Sequence, residues 1–299
     1  MLFPPYLKAG DKVGIIAPAG PIEYPQDIEE GLRVLRSWGL EVVMGRTPSL
    51  KHFQFAGTDE ERTFDLQTML DDPEIRAVIA VRGGYGTSRI IDRIDFTRFY
   101  ESPKWLVGFS DITLLLSHLA RLGYASIHGP MVKHLGREDH PTECLRALLF
   151  GEALTYEMEP HPFNRFGSVT APLCGGNLCL LAHSLGSPSE IETEGRILFL
   201  EDVGERLYNI DRMLWQLRRA GKLENLAGMM VGQFTETTGT PAGFGMDVDE
   251  IIAEHIKDNS YPVAYGLPVG HVRDNRPLMI GQTAELQVSS EGAAVSFPV

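Results

Sequence analysis

The sequence predicts an α/β protein of two domains, and three observations carry that expectation. Short apolar runs alternate with helix-period segments over the first 130 residues, the pattern of parallel strands covered on both faces. The alternation lapses over 131–170, a stretch rich in His, Pro, Glu and Gly, and resumes beyond it. The length of 299 residues suits two domains of roughly 100–200 residues each. The expected division is an N-terminal parallel-sheet α/β domain over 1–130, a linker over 131–170, and a C-terminal mixed α/β domain over 171–299.

Each element has its own signal. Lys12 to Ala17 (KVGIIA) is a short apolar run that stops at Pro18, Gly20 and Pro21, so it reads as a buried strand entering a loop. Pro25 to Trp38 carries Ile28, Leu32 and Leu35 at helical spacing, and Gly39 ends it. Leu40 to Met44 is a second strand. Asp59 to Leu70 starts with acids and reads as a helix, with Phe64 and Leu66 to Leu70 expected inward. Ala77 to Val81 is a third strand, which runs into Arg82-Gly83-Gly84-Tyr85-Gly86. Thr87 to Ile94 is expected to begin a helix. Trp105 to Phe109 is a fourth strand, and Ile112 to Leu122 an apolar helix. The linker is expected to hold one short helix, Thr142 to Phe150, and some extended pieces. After Gly175-Gly176-Asn177 come a helix (Leu178 to Leu185), a strand ending at Glu201 (Arg196 to Leu200), a helix (Ile210 to Ala220) and a strand (Gly228 to Phe234). A helix (Val248 to Lys257), a short strand (Pro262 to Tyr265) and a hairpin around Glu291-Gly292 complete the chain.

Composition excludes several classes. Lys plus Arg number 27 and Asp plus Glu 40, a net charge of −13, which argues against nucleic acid or an anionic membrane as partner. The three cysteines, Cys144, Cys174 and Cys179, form no C-x-x-C pair, so isolated buried thiols are expected rather than a disulfide framework or a zinc knuckle. No H-E-x-x-H occurs, and neither a metal nor another cofactor is expected. Pro4, Pro5, Lys8, Asp11 and Lys12 interrupt the N-terminal stretch, so no signal peptide is evident. No apolar run approaches the ~18 residues of a membrane span. The expected location is the cytoplasm.

Three junctions could carry chemistry. The first is Gly108-Phe109-Ser110-Asp111-Ile112-Thr113. A serine on a sharp strand-to-helix turn resembles a nucleophile elbow, although Ile112 stands where G-x-S-x-G has its second glycine. A serine there can also simply cap the helix. The second is Arg82 to Gly86, whose backbone N–H groups could hold a phosphate or an oxyanion. It matches neither a P-loop nor G-x-G-x-x-G, and a tight turn chosen for backbone freedom is the alternative. The third pairs Glu201 and Asp202, at the end of an apolar strand, with His271 in the loop Gly270-His271-Val272-Arg273-Asp274-Asn275. A serine needs a base, and the base needs an orienting acid. Ser110, Glu201 and His271 could supply these in the order Ser, acid, His, but nine histidines and 40 acids offer many other combinations. His128 follows a strand and could support a cleft. His118 and His183 are expected as core residues, as are Met229 and Met230.

The joint order of several segments resembles the LD-carboxypeptidases, a family of serine peptidases that includes the muropeptide carboxypeptidases and microcin-immunity relatives. The segments are Ile16 to Gly20, Arg82 to Gly86, Val107 to Thr113, His128-Gly129-Pro130, Gly175 to Leu178, Leu200-Glu201-Asp202, Tyr208 to Leu214 and Leu267 to His271. The resemblance implies a two-domain fold, Ser110 as nucleophile, His271 as general base and Glu201 as its orienting acid. It also implies an oxyanion hole from the backbone amides of Gly84 and Asp111. Arg82, Gly83, Tyr85 and Asn177 are the candidate substrate-binding residues. The implied reaction is cleavage of an L–D peptide bond, releasing D-alanine from a murein tetrapeptide during cytoplasmic wall recycling. The implied assembly is a homodimer.

The microcin-immunity relatives cleave peptidyl or aminoacyl nucleotides and carry an aromatic loop. Here Gly167 to Arg196 is compact and lacks Trp and Tyr, which favours the muropeptide branch. A binding module that uses the Arg82 to Gly86 turn without turnover is the competing class.

Overall fold

A computed structural model describes residues 1–298. The chain divides into two units, Met1–Glu152 with Arg276–Met279, and Ala153–Asn275 with the chain from Ile280 onward. The first alternates β1 (Lys12–Ile16), α1 (Glu29–Ser37), β2 (Glu41–Met44), α2 (Asp59–Asp71), β3 (Ile75–Ala80), α3 (Thr97–Glu101), β4 (Trp105–Gly108), α4 (Thr113–Arg121), β5 (Ser126–His128) and α5 (Asp139–Phe150). The second contains β6 (Leu154–Met158), β7 (Gly167–Asn177), α6 (Leu178–His183), β8 (Ile197–Val203), α7 (Leu207–Arg219), β9 (Gly228–Thr235), α8 (Pro241–Phe244), α9 (Val248–His255) and β10 (Val263–Gly270). After β10 the chain returns as β11 (Leu278–Ile280) to the first sheet, then ends in β12 (Thr283–Ser289) and β13 (Gly292–Phe297).

The first sheet has the order β11-β5-β4-β3-β1-β2, and β1 to β5 are mutually parallel. Its central strands β3 and β4 are almost wholly buried, as expected when helices cover both faces. Parallel pairing has one functional consequence. The chain leaves β1, β3 and β4 at the same edge, where α/β sheets present their ligand-binding loops. Trp105 anchors the start of β4, fully buried, with its indole N–H donated to Pro5 O at 3.0 Å. A capping box of Thr58 and Glu61 starts α2.

The second sheet is mixed, in the order β10-β9-β8-β7-β12-β13-β6. Strands β7 to β10 are parallel, whereas β7, β12, β13 and β6 pair antiparallel. The 11-residue β7 belongs to both halves: Gly167 to Pro172 face β12, and Leu173 to Asn177 face β8. Strand β12 alternates exposed and buried residues, so one side meets water. Helix α7 buries Leu207, Ile210, Leu214 and Leu217 in a cluster with Leu198, Leu200, Met229 and Ile251.

Several local expectations need correction. Phe64 is 54% exposed, and the Arg46 guanidinium lies 5.0 Å over its ring. Helix α2 instead buries Arg62 and Asp65 beside Leu66, Met69 and Leu70, because buried loops supply those polar groups with partners. Thr87 to Ile94 forms two 3-10 turns, Thr87–Arg89 and Ile91–Arg93, rather than a helix. The β-branched Ile90 separates them and Ile91 opens the second. His183 is exposed at the end of α6. The stretch 131–170 holds the expected short helix and extended pieces as α5, β6 and the start of β7, but the helix begins at Asp139 and not Thr142. All three cysteines are free thiols, and Cys179 is only half-buried.

Candidate active site

In the first unit the chemistry begins where β4 ends. Phe109 is extended at φ −150° and ψ −173°, and Ser110 then turns to φ 63°. A non-glycine residue in that region costs of order 1–3 kcal/mol and persists only where its surroundings hold it. The strain swings Ser110 off the strand and into the 3-10 turn Ser110–Ile112 that leads to α4. No side chain caps that turn, so the hydroxyl is not spent on a helix terminus. Gly108 explains how Ile112 can replace the second glycine of the elbow pattern. A Cβ at Gly108 would lie 2.7 Å from Ile112 Cγ2, so the missing side chain makes room for the isoleucine.

The glycine-rich turn after β3 meets this serine. A Cβ at Gly83 would stand 2.9 Å from Ser110 Cβ, 3.1 Å from its Oγ and 3.4 Å from the Asp111 nitrogen. Glycine therefore keeps a small hollow open beside the hydroxyl and the following amide. Gly84 is exposed at φ 121°, and its N–H donates to no protein acceptor among the described residues. The Asp111 side chain ties the two turns together: its Oδ2 accepts the Thr87 N–H at 2.9 Å, and its carbonyl accepts the Thr87 hydroxyl at 2.7 Å. The loop after β1 joins them through Gly20 N–H, which donates to Gly83 O at 3.1 Å. Arg82 is half-buried and donates to Pro21 O at 3.2 Å. Tyr85 is 49% exposed, with its ring 5.8 Å from that of Phe55. His128 is fully buried on β5, its ring 5.8 Å from Phe109.

Sequence reasoning misses Arg62. Its side chain is fully buried, and Nη1 donates to Pro18 O at 2.7 Å and to Gly86 O at 2.9 Å. One guanidinium thus spans two of the three loops at the serine's edge. It pairs with Asp59 and lies 4.9 Å over the Phe55 ring. Only the three-residue spacing from Asp59 hinted at it, and that spacing ordinarily marks an exposed helix pair.

In the second unit, Glu201 lies near the carboxyl end of β8 and His271 directly follows β10. His271 Nδ1 meets Glu201 Oε2 at 2.8 Å. Glu201 is fully buried, whereas His271 keeps 20% of its side chain exposed. A carboxylate can only accept, so this bond places the proton on Nδ1 and makes Nε2 the acceptor nitrogen of the ring. Glycines again make the space. A Cβ at Gly270 (φ 125°) would lie 2.9 Å from Glu201 Oε2, and one at Gly232 would lie 3.3 Å from Glu201 Cβ. Asn275 accepts the Gly270 N–H at 2.9 Å and closes the histidine loop.

Asp202 has a different task. Its carboxylate accepts from Asn177 Nδ2, Cys179 N–H and Val203 N–H at 2.8–2.9 Å. Burial nevertheless pushes it up to about 6. Asn177 is itself buried, and its Oδ1 caps α6 by accepting the Leu180 N–H at 3.2 Å. Among the described residues, no group of three or more His, Cys, Asp or Glu side chains could hold a metal ion. No described helix is long and apolar enough to cross a membrane.

The parts are those of acyl transfer: a strained serine on one strand-end turn and the exposed Gly84 on another in the first unit, and an oriented imidazole in the second. Comparison with known proteins supplies the family. Residues 13–129 match the LD-carboxypeptidase N-terminal domain, and residues 170–286 match the C-terminal domain. The chain is 36% identical over 303 residues to a probable murein peptide carboxypeptidase of Bacillus subtilis, covering 99% of this chain and 95% of the relative. A crystal structure of muramoyltetrapeptide carboxypeptidase from Oxalobacter formigenes superposes with a TM-score of 0.87 at 31% identity, covering 96% of this chain and 99% of that one. The microcin C7 self-immunity protein MccF, in complex with aspartyl sulfamoyl adenosine, shares the fold at 20% identity with a TM-score of 0.88, over 100% of this chain and 99% of its own. The chain therefore belongs to the LD-carboxypeptidase family and is a serine-type carboxypeptidase, a hydrolase.

Proposed function

We propose that this carboxypeptidase cuts the L–D peptide bond of a murein tetrapeptide and releases its terminal D-alanine, in cytoplasmic recycling of wall fragments. The observation that carries the reading is Ser110 at φ 63° beside the hollow at Gly83. The names of the Bacillus and Oxalobacter relatives supply the substrate class.

In this mechanism Ser110 Oγ attacks the scissile carbonyl carbon while His271 Nε2 takes its proton. Glu201 holds the imidazole in the needed tautomer and stabilises the imidazolium. The negative charge that develops on the carbonyl oxygen is met by the N–H groups of Gly84 and Asp111. Collapse of the tetrahedral intermediate breaks the C–N bond, and the imidazolium protonates the departing amine of D-alanine. Water then hydrolyses the acyl-serine by the same proton route. Arg82 is the cation for the substrate's terminal carboxylate, with Gly83 and Tyr85 lining its approach, and Asn177 holds Asp202 behind the acid. The working assembly is a homodimer.

The test is D-alanine release from a murein tetrapeptide. Ser110→Ala is expected to lower kcat/KM by at least about 10³-fold, with tetrapeptide binding retained. Undiminished release from that variant overturns the mechanism. Turnover of an aminoacyl nucleotide but not of the tetrapeptide overturns the substrate.

A further inference from the structure

The motif Tyr208 to Leu214 has no part in the mechanism above, yet it borders a cavity of about 560 Å³ in the second unit. Arg206, Leu207, Tyr208, Thr238, Thr240 and Phe244 line it. Its walls are the segments that follow β8 and β9. The two segments are joined by Thr238 N–H to Glu205 O at 2.9 Å and Leu207 N–H to Thr238 O at 3.2 Å. The strands are parallel, so the cavity opens at the carboxyl edge where Glu201 and His271 also stand. Thr235, at the end of β9, donates its hydroxyl to His271 O at 3.4 Å.

The charge at this cavity is unusual for a chain of net charge −13. No carboxylate lines it. Tyr208, 43% exposed, has two guanidinium groups near its ring, Arg206 at 5.9 Å and Arg212 at 5.2 Å from the ring centre; of the two, Arg206 lines the cavity. Arg206 Nη1 also reaches the Tyr208 hydroxyl at 3.4 Å. The neighbouring acids are engaged elsewhere. Glu205 accepts from Asn209 Nδ2 at 2.9 Å, and Asp211 meets His255 Nε2 at 2.9 Å. Neither arginine has an ion pair with a described carboxylate, whereas Arg62, Arg89, Arg93, Arg146 and Arg218 all do. Cations stacked on an aromatic ring and left without a counter-ion suit an anionic group carried on an apolar stem. The Thr238 hydroxyl adds a donor, and Phe244 and Leu207 add apolar wall.

We infer that this cavity is a substrate subsite that takes an acidic residue from the retained part of the peptide, its carboxylate held by Arg206 in the wall, with Arg212 on the same Tyr208 ring adding positive charge from outside the lining. The inference rests on the peptidase reading above and extends it to specificity. The terminal carboxylate of the leaving residue is adjacent to the scissile bond and is assigned to Arg82. A hollow of this volume fits a whole side chain, so a carboxylate farther along the retained peptide is its occupant.

Two peptides ending in D-alanine test it. They differ only in one acidic side chain of the retained part, free in one and converted to its carboxamide in the other. The intact protein is expected to favour the free acid about tenfold in kcat/KM, the order of one charge-assisted contact at a wet site. In Arg206→Gln/Arg212→Gln that preference is expected to vanish, with the two peptides cut at equal rates. Both side chains are exposed, and a thermal melt confirms that the variant folds. Equal rates in the unaltered protein, or a preference that survives in the double variant, overturn the subsite and leave the reaction standing. A protein that cuts neither peptide overturns the reading of the reaction and the subsite with it.

Discussion

A methyl group added at Gly83 would crowd Ser110 at both Cβ and Oγ. Gly83 has no left-handed φ, so alanine is excluded there by the serine and not by the backbone. Gly83→Ala is expected to lower kcat/KM by about 10²-fold, the cost of a misplaced reacting group, while the melting temperature changes little. A variant with parental activity would show that the hollow is not used. At this scale the sequence marks Ser110, the glycine turn and the Glu201 and His271 segments, because reactive groups at strand ends leave motifs. It leaves open whether Ser110 caps a helix. The answer lies in a dihedral angle, which no residue pattern records. Arg62 is illegible for another reason. Its carbonyl partners, Pro18 and Gly86, lie on loops that only the tertiary fold brings to it.

Among the elements, the β3–β4 pair rests on an unusual neighbour. Lys104, just before β4, is 1% exposed and donates its ammonium to Met69 O at 3.2 Å and Asp72 O at 2.5 Å, at the end of α2. The helix terminus favours the cation, but burial pushes Lys104 down to about 8. A free lysine titrates near ~10.4. Between those values the unfolded chain holds a proton that the folded chain has released, so this group makes stability rise with pH from about 8 to about 10. Lys104→Met lacks that contribution. The stability difference between the two proteins is expected to move toward the native one by on the order of 1–3 kcal/mol across the window, read from urea midpoints at its two ends. A difference that stays constant contradicts the buried, depressed lysine. Strand and helix order is legible because periodicity reports burial of one face. The reading fails where tertiary contacts override it: at Phe64, which lies under an arginine, and over Thr87 to Ile94, where the start is tied to Asp111.

For the whole molecule, the division into units does not follow a single cut in the sequence. Arg276–Met279 belongs with the first unit, although the chain on either side belongs with the second. A chain stopped after Asn275 would lose β11 from the first sheet and β12 and β13 from the second. Strand β6 would then lose its partner, since it pairs with β13. Leu286, Val288, Val295 and Phe297 are all buried, so their removal uncovers core. Such a truncation is expected to abolish cooperative thermal unfolding, measured by circular dichroism, and a melt at the parental temperature would refute this. Composition points to two domains, but a strand of three residues is too short to announce which sheet it joins.

That returning strand also sets a timetable. Leu278 is made 150 residues after His128, the end of the neighbouring strand β5. While the chain is being synthesised, the sheet that carries the serine therefore stands with an open edge until Leu278–Ile280 has left the ribosome. The histidine and glutamate arrive before that edge is closed. On the mechanism proposed above, the serine-bearing sheet is finished only when the segments of the histidine and glutamate already exist, so a half-made chain is not a half-active one.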